Sequence, residues 1–340
     1  MSAIVISGCG VVSPAGWGLE ALSDFLKSGA VVEPSWIERP EAGGERVLTR
    51  VARVPEPPDR NLLPKSPRLR RASPVGRFAA AAMSGALGNE RMAAVTAGDL
   101  RLGVICATMN GCVNYSNRFF SEVLTDPSVA SPILFPETVY NAPSSHLSAM
   151  VGATAPNDTL IGDGAGIFIA LDLAAEWLER GDADAVLIVA PEELDWLSAE
   201  GLGYYGHGIF PAEGAAAFLL EKAAQGVRLE VLPEVVSYAV EPDRAAALQR
   251  LWRELGAVDD GRTLWVDGRS GQARFDHAES SVPWTGPRLS PRMHLGEAMG
   301  ASAGFQLAAA FDALSHGRFE TAVITAVGGN QGVGGGVLKS

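Results

Sequence analysis

The sequence predicts an α/β fold built from two similar halves, and two observations carry this prediction. First, apolar strand-like stretches alternate with helical stretches along most of the chain, which indicates helices layered against β-sheet. Second, one unit occurs twice: a glycine, an Ala- and Leu-rich helical stretch, a second glycine and an apolar strand, at 164–190 and again at 300–326. Because the two copies lie so far apart, the repeat indicates a duplicated half-domain rather than a solenoid.

Each element is predicted from its local pattern. Runs rich in Val, Ile and Leu predict strands, and Ala-rich stretches with polar residues at helical spacing predict helices. The stretch 30–74, rich in Pro, Arg and Glu, predicts loops with short strands. In chain order, the predicted elements are a strand at 3–12, helices at 19–27 and 75–87, a strand at 102–107, a helix at 110–123, a short strand at 160–161, the first repeated helix with its strand at 185–190, paired strands at 215–221 and 227–240, a helix at 245–256, a strand at 263–266 and the second repeated unit, followed by the Gly-rich 327–339. No linker is evident, so we expect halves 1–205 and 206–340 to form one compact body.

Composition argues against several classes of protein. The formal net charge of −12 disfavours nonspecific nucleic-acid binding. No apolar run approaches the roughly 20 residues that a membrane span needs. Three cysteines without metal-like spacing fit a reducing compartment, and neither a metal site nor a cofactor is predicted. Strand-like residues follow Met1 almost directly, which favours a protein without a secretory signal and a cytoplasmic location.

The turn before the first repeated helix is a natural place for a nucleophile. A helix N-terminus stabilises an anion, and residues 163–166 read Asp-Gly-Ala-Gly, with neither Cys nor Ser. Asp163 is either an acid or the N-cap of that helix, and we favour the N-cap. The position is therefore shaped for chemistry but lacks a reactive side chain.

Five segments together resemble the β-ketoacyl-ACP synthases, the condensing enzymes of fatty-acid and polyketide synthesis. In chain order they are IVISGCGVVSPAGWGLEALSDFLKSGA, FPETVYNAPSSHLSAMVGATAPNDTLIGDGAG, LAAEWLERGDADAVLIVAPEE, Glu213-Gly214-Ala215 and RMHLGEAMGASAGFQLAAAF. They cover nearly the whole chain in the family's order. The resemblance implies a thiolase-like five-layer αβαβα fold with two pseudo-symmetric halves, in which Gly164 and Gly300 open the two buried core helices.

The resemblance also implies that the family's catalytic residues are substituted. The family's acyl-accepting Cys, in T-A-C-A-S-G, falls on Gly164, and its first His, in H-G-T-G-T, falls near Asp267. The K-S-N-I-G-H motif places its Lys at Arg292, its Asn at His294 and its His at Glu297. Glycine has no side chain to acylate. Glu297 is either a buried acid or a salt-bridge partner, the latter being favoured, and His294 is the one candidate for a displaced base.

Partner surfaces are implied as well. The family's dimer pairs central strands across a two-fold axis, and the strand 158–161 is the expected contact, either with a second copy or with an active ketosynthase. Four basic residues stand close together in an acidic chain: Lys65, Arg68, Arg70 and Arg71. They are either a solvated loop or a docking surface for an acyl-carrier protein.

Three classes of function remain open. The favoured one is a subunit without its own nucleophile, similar to a chain-length factor, that pairs with an active ketosynthase in polyketide, aryl-polyene or fatty-acid-type biosynthesis. The second is an enzyme with altered acyl-thioester chemistry, a decarboxylase or hydrolase using Glu297, His294 or Asp267. The third is a protein that only binds an acyl chain or acyl-carrier protein.

Overall fold

The computed structural model describes residues 3–39, 47–206, 208–329 and 332–340, and it alternates strands and helices as the sequence predicts. The strands are β1 Ala3–Ser13, β2 Gly16–Trp17, β3 Ser35–Glu38, β4 Leu48–Val51, β5 Leu102–Thr108, β6 Asn157–Ile161, β7 Ala185–Glu192, β8 Gly214–Ala223, β9 Val227–Val231, β10 Val236–Ser237, β11 Thr263–Val266, β12 Arg288–Leu289, β13 Thr321–Val327 and β14 Gly332–Lys339. The helices are α1 Leu19–Ser28, α2 Pro74–Ala97, α3 Val113–Thr125, α4 Ala142–Val151, α5 Gly166–Arg180, α6 Trp196–Tyr205, α7 Arg244–Leu255, α8 Ala273–Ser280, α9 Pro291–Leu295 and α10 Gly300–Ser315.

The main strands form two groups with the same connectivity. The first group runs β1-β8-β7-β5-β6 and the second runs β9-β14-β13-β11-β12. In each group the first two pairings along this order are antiparallel and the last two are parallel. Strands β1 and β9 join the groups in antiparallel pairing. The shared order and polarity confirm the duplication that the repeated sequence predicts.

The helices lie in three layers around these sheets. Helix α2 packs on β1, β8 and β7 on one outer face, and α7 packs on β14 and β13 on the other. Helices α5 and α10 contact each other and both strand groups, so they form the middle layer. This arrangement is the predicted five-layer αβαβα architecture. Helix α10 begins at Gly300 as predicted, and α5 begins at Gly166, two residues after Gly164.

The middle layer explains the abundance of small residues in α10. Nearly all of its 16 residues are buried, because sheet lies on both sides of it. A Cβ atom on Gly304 would lie 2.9 Å from the Cβ of Ala216 in β8 and 3.4 Å from that of Ala190 in β7. The close approach of helix to sheet therefore requires glycine at this position.

The structure corrects some of the element predictions. The expected pairing of 215–221 with 227–240 is wrong, because β1 lies between β8 and β9. Helix α2 is longer than predicted and kinks at Gly88, which has φ 62°. Strand β8 completes the first strand group, so we propose that the halves meet between β8 and β9 rather than at 205/206. In the part of the chain that the structure describes, no helix is long and apolar enough to span a bilayer.

Candidate functional site

A cavity of about 490 Å³ opens where the two middle-layer helices begin. Its lining brings together four of the positions singled out by the sequence, Asp163, Gly164, Arg292 and Glu297. Apolar and aromatic side chains from α6 and from the loop after it complete much of the wall. This size is typical of a small-molecule site. The duplicated helices thus converge on one pocket, although they lie far apart in sequence.

Gly164 lies in the turn that leads into α5. The Asp163 carboxylate accepts a hydrogen bond from the Ala165 amide at 3.0 Å, while the helix N-cap itself is Ala165, without a side-chain cap. Asp163 therefore closes the preceding turn instead of acting as the predicted N-cap. A Cβ atom on Gly164 would meet the Met299 carbonyl at 3.6 Å and the Ala303 Cβ at 3.8 Å, which are ordinary contacts. The surrounding structure has room for a side chain that the sequence does not supply.

Arg292 and Glu297 form an ion pair in the cavity wall. Arg292 also donates from Nη1 to the Gly268 carbonyl at 2.6 Å, and Glu297 accepts from the Met299 amide at 2.7 Å and the Ser302 hydroxyl at 2.9 Å. Burial lowers the pKa of Arg292 against the opposing attraction of nearby carboxylates, led by Glu279. This ion pair agrees with the interpretation of Glu297 as a salt-bridge partner.

Asp267 lies at the end of β11 but outside this cavity. Its side chain is fully buried and pairs with Arg269 at 3.0 Å and with Arg288. A Cβ on the next residue, Gly268, would lie 3.4 Å from Nη1 of the cavity residue Arg292 and 3.4 Å from Oε2 of the buried Glu279. The resemblance placed the family's first histidine near Asp267, but in the structure the Asp267 carboxylate is paired with two arginines.

His294 also lies outside the cavity. Its Nδ1 donates to the Ala30 carbonyl at 2.7 Å, which ties α9 to the loop after α1. The ring is thus engaged by a backbone carbonyl, whereas Arg292 and Glu297 line the cavity. It is not positioned to act as the displaced base that the sequence suggested.

A buried carboxylate beneath the cavity escaped the sequence analysis. Glu192, the last residue of β7, accepts from the Met109 amide, the Asn110 amide at 3.1 Å and the Gly300 amide at 3.2 Å. Burial raises its pKa to about 8, because the loss of water outweighs these hydrogen bonds. Met109 and Asn110 line the cavity, so Glu192 supports its floor. Adjacent acids at the end of an apolar strand, Glu192 and Glu193, were the available signal.

The cysteines are placed as structural residues. Cys106 lies on β5, Cys9 on β1, and Cys112 is the N-cap of α3. Burial raises the pKa of all three thiols. A thiol with a raised pKa is a poor nucleophile at neutral pH, since the thiolate is the reactive form.

The basic cluster Lys65, Arg68, Arg70 and Arg71 lies on the surface around a 3-10 turn at Pro67–Arg70. All four side chains are exposed, and none forms an ion pair with a described residue. Lys65 and Arg68 border a surface depression that is also lined by residues of α2 and α4. This depression is separate from the cavity at α5 and α10.

The comparisons with known proteins agree with this architecture. Residues 1–202 match the family model of the β-ketoacyl synthase N-terminal domain. The chain belongs to the β-ketoacyl synthase family. No curated protein matches the sequence.

Solved structures of the family share the fold of the whole chain. The ishigamide ketosynthase/chain length factor superposes with a TM-score of 0.76 at 22% identity, over 99% of both chains. A type II polyketide synthase acyl-carrier protein in complex with its ketosynthase bound to the hexaketide superposes with a TM-score of 0.77 at 15% identity, over 100% of this chain and 99% of that one. A β-ketoacyl synthase from Burkholderia phymatum STM815 superposes with a TM-score of 0.77 at 17% identity, over 100% of this chain and 99% of that one.

Proposed function

We propose that this protein is a ketosynthase-like subunit without its own nucleophile, which acts as a chain-length-factor-like partner of an active ketosynthase. The observation that carries the proposal is Gly164. It sits on the cavity wall just before α5, where the family resemblance places the acyl-accepting Cys, and its surroundings have room for a side chain. Loss of the thiol is therefore a property of this sequence and not a demand of the fold.

The other substituted positions support the same conclusion. The motif histidine corresponds to Glu297, whose carboxylate pairs with Arg292 and accepts hydrogen bonds from the Met299 amide and the Ser302 hydroxyl. We propose that Gly268, and not Asp267, is the position of the family's first histidine, because Gly268 faces Arg292. Neither replacement offers an imidazole to the cavity. A decarboxylase or hydrolase built on Glu297, His294 or Asp267 is disfavoured, since Glu297 is paired with Arg292 and the other two side chains do not line the cavity.

The surface near β6 supports association with a second subunit. Strand β6 ends the first strand group and leaves one edge without a partner strand in the described chain. Ile161 at its end is 63% exposed. The crossover from β5 to β6 carries further exposed apolar side chains, namely Phe120, Leu124, Val129, Ile133, Phe135, Val139 and Tyr140. An open edge beside exposed apolar side chains is the type of surface that a partner covers.

The partners are proposed from the same comparisons. One similar structure is a ketosynthase/chain length factor and another holds a ketosynthase with its acyl-carrier protein. We therefore propose a Cys-containing ketosynthase as the principal partner, with self-association as the alternative, and an acyl-carrier protein as the transient partner. The basic cluster offers positive charge to such an acidic protein.

The test is co-expression with a Cys-containing ketosynthase from the same genome. Tandem affinity purification and sedimentation analysis are expected to give a 1:1 complex. After incubation with acyl-carrier protein, intact mass measurement is expected to find the acyl adduct on the partner and none on this chain. An acyl adduct on Cys9, Cys106 or Cys112 of the isolated protein, together with condensation, would overturn the proposal.

A further inference from the structure

A second guanidinium faces the cavity, and the ion pair described above does not involve it. We propose that Arg244 binds the carboxylate of a small amphipathic acid, a mono-anion whose apolar chain lies along the aromatic wall of the cavity. This inference rests on the cavity alone and does not require the proposed partnership with a ketosynthase.

Within the described part of the chain, Arg244 is buried without an acidic partner. It is only 5% exposed, yet no carboxylate among the described residues lies within ion-pair distance of its guanidinium. Its Nε donates to the Tyr238 hydroxyl at 3.2 Å, and Nη2 lies 3.5 Å from the Tyr205 hydroxyl. Burying an unpaired charge lowers the free energy of unfolding, so a buried arginine without an acid indicates a role in binding.

The acids of the cavity wall and Glu241 have other partners, and among them Asp163 accepts from the Ala165 amide. Glu241 feels the charge of Arg244, but both of its oxygens bind Arg274. Glu297 in the cavity pairs with Arg292. Arg244 is also the first residue of α7, the helix end at which the macrodipole disfavours a positive charge. These features leave a guanidinium on the cavity wall with capacity for an external anion.

The wall beside Arg244 favours an apolar chain. The rings of Tyr205 and Phe275 stack with centroids 5.5 Å apart, and the Arg244 guanidinium lies 5.5 Å from the Phe275 centroid. Leu202 and Phe210 extend this apolar surface. A planar guanidinium matches a carboxylate with two parallel hydrogen bonds. The cavity already contains carboxylates of its own, so a mono-anion fits better than a doubly charged phosphate.

Calorimetric titration with three probes that share one chain tests the assignment: octanoate, 1-octanol and octyl phosphate. The wild-type protein is expected to bind octanoate at least tenfold more tightly than the other two. Equal affinity for octanoate and octanol would overturn the role of the guanidinium. Tighter binding of octyl phosphate would overturn the assignment to a carboxylate.

Substitution isolates the contribution of Arg244. The variant Arg244→Gln is expected to lose about tenfold or more in affinity for octanoate and to keep the affinity for octanol, because only the charge-assisted contact is removed. The matched control is Arg250→Gln on the exposed face of the same helix, where Arg250 pairs with Glu254, and it is expected to bind as wild type. Retained octanoate affinity in a folded Arg244→Gln protein contradicts the proposal. If that variant does not fold, the three-probe comparison on the wild-type protein still decides.

Discussion

At the residue scale, Gly164 has room for a larger side chain. Its Cβ would make contacts of 3.6 Å and 3.8 Å, and its φ does not lie in the left-handed region. Gly164→Cys is therefore expected to fold with a Tm close to that of the wild-type protein. It is not expected to catalyse condensation, because the cavity would still lack the family's two histidines. Differential scanning calorimetry and a condensation assay with malonyl and acyl carrier proteins measure the two outcomes.

Gly214 provides the matched control for this substitution. It has φ 144°, and a Cβ there would collide with the Val12 carbonyl oxygen in the neighbouring strand. Gly214→Cys is expected to lower the free energy of unfolding by about 1–3 kcal/mol. Condensation by Gly164→Cys in the absence of a partner would contradict the assignment of Gly268 and Glu297 as lost catalytic positions.

Glu192 predicts a pH dependence of stability. Burial raises its pKa from 4.5 to about 8, so between these values the folded protein holds a proton that the unfolded chain releases. The contribution of this carboxyl to the free energy of unfolding is thus present below about pH 4.5 and is lost as the pH rises to about 8. The slope is at most about 1.4 kcal/mol per pH unit for one proton.

Urea titrations of the wild type and Glu192→Gln across pH 5 to 9 measure this effect. The difference between the two proteins is expected to change with pH in that direction, whereas the exposed Glu20→Gln control parallels the wild type. A wild-type curve that parallels Glu192→Gln throughout would show that the hydrogen bonds from Met109, Asn110 and Gly300 keep Glu192 ionised.

At the element scale, β6 is expected to be the contact with the second subunit. Ile161→Lys places a charge on the exposed end of this edge strand and is expected to dissociate the complex, because a lysine ammonium loses its water in an apolar interface. The chain itself is expected to stay folded, since Ile161 is already exposed. Sedimentation velocity of the purified complex measures the dissociation.

The control for this prediction is Val258→Lys. Val258 is 61% exposed and lies between α7 and β11, outside the strand group that contains β6. This variant is expected to assemble as the wild type does. Intact assembly of the Ile161→Lys protein would place the subunit contact at another surface.

At the scale of the whole molecule, the basic cluster is a local exception in a chain of net charge −12. Replacing Arg68, Arg70 and Arg71 by Glu is expected to slow association with an acidic carrier protein while folding and dimerisation persist. The effect is expected to fade with added salt, since the Debye length falls from about 10 Å at 0.1 M to about 3 Å at 1 M. Stopped-flow association rates at two salt concentrations measure it.

Charge reversal at Arg250 and Arg253, on the exposed face of α7, provides a control for the general change in net charge. If both sets of variants slow association equally, the effect belongs to the overall charge and the cluster is a solvated loop. A rate unaffected by reversal of the cluster at low salt leads to the same conclusion.

Much of the fold could be predicted because its signals are local. Val- and Ile-rich runs predicted β5, β7 and β13, and the repeated glycine-to-glycine units predicted α5 and α10. The identity of residue 164 is likewise visible in the sequence, because the lack of a thiol on a glycine requires no knowledge of packing. The pairing of β8 with β9 was predicted wrongly, since adjacency in sequence favours a hairpin and only the assembled sheets place β1 between them.

The sequence by itself determined the alternation of strands and helices, the duplication and the presence of glycine at position 164, because each is visible in the order of the residues without knowledge of their packing. Only the tertiary structure decided which charges meet. Asp267 pairs with Arg288, His294 donates to the Ala30 carbonyl, and Arg244 is buried without an ion-pair partner among the described residues. These outcomes depend on residues brought together from distant segments, and burial in the resulting cavity sets the energy of each charge.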